Sequence, residues 1–176
     1  MQVLAISGSL RAGSTNTALL RGLALAAVPP HRVRLWAGLA DLPIFSPDRE
    51  GPPAPPAVEA FAAAVAGADA LVIACPEYVH ALPGGLKNAI DWLVSRPEII
   101  DKPIALLHAS HRGEDVLADL RRVLGTVSSR FAADVFERFA LMKLSPDAVA
   151  AVLARPAEQA RLRGFLDRLA RHVQAG

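Results

Sequence analysis

With 176 residues, 52% of them hydrophobic, the chain carries enough apolar surface for one well-buried core and too little length for two comfortable domains, so residues 1–176 are read as a single domain. A formal charge of +2 and a pI near 9.1 arise mostly from arginine interspersed with acids, and no basic run interleaved with aromatics signals nucleic-acid binding. The single cysteine, Cys75, excludes an internal disulfide and fits a reducing compartment. No apolar stretch approaches the roughly 20 residues that span a bilayer, and the chain opens as a strand without a charged leader, so a cytoplasmic protein with no membrane partner is expected.

In chain order, residues 2–6 form a short apolar run that reads as a buried parallel strand. A polar loop follows. Residues 16–28 then place Leu19, Leu20, Leu23 and Ala27 at helical spacing until Pro29 and Pro30 stop the helix. A second strand is expected over 32–36, and a long proline-rich connection over 38–56. Phe45 in that connection either walls a pocket or packs down on the core. Helix 57–66 leads to the most continuous apolar run, 68–75, which reads as a central strand. The loop 76–85 leads into a helix with Leu86, Ile90 and Leu93 inward. Residues 103–108 form another buried strand, 110–114 its loop, and Val116, Leu117, Leu120, Val123 and Leu124 the next amphipathic face. A weaker fifth strand is expected over 132–136. A closing helix over 156–173 carries Arg161, Arg163, Arg168 and Arg171 on a face read as solvated.

Five alternations of strand and helix predict an α/β fold: a doubly wound five-stranded parallel sheet with helices on both faces, in three layers. In the flavodoxin-like strand order, 2-1-3-4-5, the first and third strands are neighbours at the switch point where ligands bind. The polar loops 7–17 and 76–85 follow those two strands, and 110–114 lies beside them.

The first loop carries the chemistry. Ser7, Ser9, Arg11, Ser14, Thr15, Asn16 and Thr17 crowd the start of a helix, which already offers free N–H groups and a positive dipole end. One N-cap residue would satisfy the helix, so the surplus of donors points to a phosphate. Neither Gly-Lys-Ser/Thr nor Gly-x-Gly-x-x-Gly is present, which favours a monophosphate over a polyphosphate. Elsewhere Cys75 lacks an arginine six residues on and reads as a small core residue, while His108 and His111 lack a third metal ligand in a set pattern. Glu77 reads as a turn residue bonded to backbone, with no second carboxylate in its loop for acid–base work. Lys87 and Asp91 form an i,i+4 pair, and Arg112 is read as an exposed loop arginine.

Gly8-Ser9-Leu10-Arg11-x-Gly13-Ser14-x-Asn16, together with Pro76-Glu77-Tyr78, Pro83-Gly84 and the run from Leu86 to Trp92, resembles the NADPH-dependent FMN reductase family. That family includes quinone, chromate and azo-dye reductases, and the likeness extends over about residues 1–124. The resemblance implies a flavodoxin-like flavoprotein, an oxidoreductase that takes electrons from NADPH or NADH through FMN to a small-molecule acceptor. It implies that Ser9, Arg11, Ser14, Asn16 and Thr17 hold the FMN phosphate, with Thr15 offering its backbone. Pro76, Glu77, Tyr78, Val79 and His80 would run along the isoalloxazine ring, with Ser110 bordering its other side. No side chain would act as catalytic acid, base or nucleophile, and a homodimer or homotetramer is implied. The sequence departs from the family at Val79, where asparagine is usual, and in the shorter loop 110–114 with its single glycine. Two other readings stay open: an electron carrier without its own turnover, which its slightly basic charge disfavours, and a relative that no longer binds flavin.

Overall fold

Alternation along the strands sorts the core into two layers, one on each face of a five-stranded parallel sheet. In the computed structural model, which describes residues 1–175, the sheet comprises β1 (Gln2–Ser7), β2 (Arg32–Trp36), β3 (Ala70–Ala74), β4 (Ile104–His108) and β5 (Phe131–Arg138), in the order β2-β1-β3-β4-β5. Leu4, Ile6, Leu71, Ile73, Ile104 and Leu106 face one layer, while Val3, Ala5, Val72, Ala105 and Leu107 face the other, as the two-residue period of a strand requires.

On the first face lie α2 (Pro56–Ala66), α3 (Gly84–Asp91), the short α4 (Pro97–Ile100) and α5 (Glu114–Val127). On the second lie α1 (Thr15–Ala26), α6 (Pro146–Leu153) and α7 (Pro156–Gln174). Both faces of the sheet are therefore covered, and β3 and β4 are buried at every position. The first and third strands do lie side by side at the switch point.

Several expectations are corrected. Helix α6 was not foreseen, although Ser145-Pro146-Asp147 is a start signal: Ser145 accepts from the Ala148 amide at 3.2 Å, and proline occupies the first turn. Strand β5 is longer than 132–136 and slips register between Ile104 and Leu106. The connection 38–56 holds 3-10 turns at Gly38–Asp41 and Pro47–Arg49. The arginine face of α7 is not merely solvated. Arg161 and Arg168 both reach Glu137 on β5 at 2.8 Å, and Arg163 donates to the Ala26 carbonyl.

The 38–56 connection packs down rather than walling a pocket. Phe45 meets Trp92 edge-on with centroids 5.2 Å apart, and its amide donates to Asn88 Oδ1 at 2.8 Å. Asn88 Nδ2 and Trp92 Nε1 both donate to the Pro43 carbonyl, at 2.9 and 2.7 Å. These two residues therefore act as staples between α3 and the connection.

Candidate functional site

At the C-terminal ends of β1, β3 and β4, three loops and the segment after β5 enclose a cavity of about 480 Å³. It is the size of a small cofactor site and sits where open α/β sheets bind ligands.

Its first wall is the turn from β1 into α1. The Gly8 amide donates to the Ala74 carbonyl at 2.9 Å, which draws the chain tight against β3. Ser7 Oγ accepts from the Ser9 amide and from Thr17 Oγ1, while Ser9 Oγ accepts from the Arg11 amide. Ser14 caps α1 by accepting from the Thr17 amide at 3.2 Å. The first helical amides, those of Thr15 and Asn16, have no intrahelical acceptor and stand at the positive end of the dipole. Asn16 is 8% exposed, and its Oδ1 is buried without a partner. Arg11 reaches the same wall and has no carboxylate partner among the described residues. Amides, hydroxyls and a free guanidinium together form a donor set suited to a phosphate monoester, whereas the partnerless Asn16 Oδ1 is an acceptor that only a donor could satisfy.

The second wall is Cys75, Pro76, Glu77 and Tyr78 after β3. Burial pushes the Cys75 thiol up to about 12, so it stays protonated and inert at neutral pH. Glu77 is indeed bonded to backbone: its Oε2 accepts from the Val116 amide on α5 at 3.1 Å. Beyond it, Tyr78 and Ala81 exchange backbone hydrogen bonds of 3.0 and 3.1 Å, closing a two-residue turn in which Val79 (φ 52°) and His80 (φ 57°) are both left-handed. A β-branched residue in that region is strained. The Val79 side chain is 96% exposed and gives up no packing if replaced. Val79→Asn is therefore expected to stabilise the protein by about 1 kcal/mol, because asparagine tolerates the left-handed region. A urea titration checks this, and a lowered midpoint would contradict it.

The third wall is His108, Ala109, Ser110, Arg112 and Gly113 after β4. His108 is 3% exposed and donates from Nε2 to the Arg112 carbonyl. Burial holds its pKa below the ordinary imidazole value of 6.5, so the ring is neutral at pH 7. A depressed pKa contributes stability above the unfolded value, and that contribution is lost as pH falls from there through the folded value. Titration of the His108 ring by NMR is expected to give a midpoint below 6.5; one above it would contradict this account. Gly113, at φ 100°, starts α5, and a Cβ there would sit 2.9 Å from His108 Cε1.

Nine of the twelve residues expected from sequence line the cavity: Ser9, Arg11, Ser14, Thr15, Asn16, Pro76, Glu77, Tyr78 and Ser110. Thr17, Val79 and His80 do not. Thr17 turns its hydroxyl to Ser7, while Val79 and His80 project into solvent because the left-handed turn swings them away from the opening. Sequence reasoning missed Met142 and Lys143, which reach the cavity from the segment after β5; Met142 Sδ accepts from Ser110 Oγ at 3.5 Å. No local motif marks them, since their approach depends on where α6 docks.

The sequence model of the NADPH-dependent FMN reductase family matches residues 1–137. An NAD(P)H-dependent FMN reductase of Pseudomonas aeruginosa is 45% identical over 112 residues, which take in 62% of this chain and 60% of that protein. A quinone reductase of Escherichia coli K12 is 44% identical over 108 residues, or 60% of this chain and 55% of that one. The chain thus spans about 55–60% of the length of these curated relatives. Among solved structures, a flavoenzyme NAD(P)H:(acceptor) oxidoreductase from Paracoccus denitrificans superposes with a TM-score of 0.73, covering 97% of this chain and 98% of that one at 24% identity. That likeness is one of fold.

Proposed function

Since this chain belongs to the NADPH-dependent FMN reductase family, we propose that it is an FMN-dependent oxidoreductase, with NADPH or NADH as donor and a quinone, flavin, azo compound or metal ion as acceptor. The observation that carries this reading is the donor set at the start of α1, the Thr15 and Asn16 amides together with the Ser9 and Ser14 hydroxyls and the unpaired Arg11.

In this reading the Thr15 and Asn16 amides, the Ser9 and Ser14 hydroxyls and Arg11 hold the FMN phosphate. Pro76, Glu77 and Tyr78 flank one side of the ring and Ser110 the other, while Met142 supplies polarizable surface and Lys143 a further cation. Bound flavin supplies hydride and electron chemistry that no side chain carries. The protein's part is to bind and orient. Glu77, held by the Val116 amide, fixes the Pro76–Tyr78 turn, and the protonated Cys75 and neutral His108 keep the floor of the cavity uncharged. The open mouth leaves room for donor and acceptor to visit in turn. Residues 1–176 act as one domain in a homodimer or homotetramer, which light scattering would size.

The test is an assay of NADPH consumption with the FMN-loaded protein and a quinone. Turnover that depends on both supports the proposal. A yellow protein with no turnover against any acceptor class would leave an electron carrier instead.

A further inference from the structure

At the rim of the cavity, Glu77 of its second wall meets His80 and Asp115 from outside the lining, and the three bring one ligand atom each to within 4.8 Å of one another. They come from two elements, the 76–81 loop and the first turn of α5. His80 Nδ1 lies 2.6 Å from Asp115 Oδ2, so the ring already faces the carboxylates although its side chain is 82% exposed. Glu77 is half-buried and anchored through Oε2 to the Val116 amide, which leaves Oε1 free to turn to the cluster.

Glu59, Asp91, Glu98, Glu114, Asp119, Glu137 and Glu158 each pair with arginine or lysine. Among the described residues, Glu77 and Asp115 have neither, and both lie within reach of the His80 ring. Arg138, the strong cation of that corner, is taken by Glu114 at 2.6 Å.

We propose that Glu77, His80 and Asp115 form a site for a divalent transition ion of the zinc class. One imidazole and two carboxylates suit zinc, nickel or copper. Calcium and magnesium would want six or more oxygen ligands in place of a nitrogen. The ion neutralises the two carboxylates and ties the 76–81 loop to α5, bracing the rim of the cavity. The site itself does not depend on the flavin reading.

Calorimetric titration of zinc chloride into chelator-washed protein, with and without FMN, tests the proposal. One saturable equivalent is expected in both forms. Asp115→Asn and His80→Gln should each weaken binding about a hundredfold or more, since each removes a direct ligand, whereas His111→Asn, an exposed histidine outside the cluster, should leave it unchanged. Circular dichroism of the two exposed-site variants guards against misfolding. Absence of saturable binding, or binding as tight in Asp115→Asn as in the parent, overturns the site. Because the apo protein is titrated directly, a failure to retain flavin cannot be mistaken for a failure to bind metal.

Discussion

Replacing Arg11 with alanine is expected to raise the dissociation constant for FMN by about tenfold while leaving the fold intact. A charge-assisted hydrogen bond contributes about 1.5–3 kcal/mol when formed, and exposure of the Arg11 side chain brings its share toward the lower figure, near the 1.4 kcal/mol that equals one decade of affinity. The loss should be specific. Riboflavin, which lacks the phosphate, should bind the variant and the parent equally well. Unchanged FMN affinity would remove Arg11 from the phosphate wall and shift that role to the α1 amides. Equal weakening for riboflavin would mean that the substitution had disturbed the loop as a whole.

The second large effect is steric. A methyl group on Gly8 would lie 2.4 Å from Cys75 Cβ and 2.9 Å from Leu86 Cδ2, far inside the 3.5–4.0 Å at which carbon atoms pack. Neither neighbour can yield cheaply. Cys75, 1% exposed, directly follows β3, and Leu86 is 1% exposed on α3. Gly8→Ala is expected to cost about 3 kcal/mol, at the upper end of core overpacking, and to weaken FMN binding by prising the first loop from the second. Chemical denaturation reads the first effect and fluorescence of bound flavin the second. A variant as stable as the parent would show that the two strand ends separate freely, contrary to their packing here.

Much of this was legible because local and global preferences agree. The two-residue period of β1, β3 and β4 and the apolar faces of the helices point to one sheet covered on both sides, and that sheet formed in the expected order. Ser14 was readable as a cap and Arg11 as a cation at the cavity. What escaped depends on tertiary geometry. Lys143 reaches the cavity only because Val149 and Leu153 of α6 dock in the layer beneath α1. Val79 and His80 carry no sign in sequence that their backbone is left-handed, since neither residue is a usual turn former there. Asn88 and Trp92 belong to the run that carries the family resemblance, and both donate to the Pro43 carbonyl. Their part in that motif is structural.

The central claim is that the wall at the start of α1 retains FMN, and the visible absorbance spectrum of the purified protein tests it most directly. The protein is incubated with excess FMN and desalted. Flavin bands that persist in the parent at one equivalent per chain, and fade in Arg11→Ala, are the predicted result. A parent protein that emerges colourless would contradict the account and leave the cavity to some other phosphate-bearing ligand.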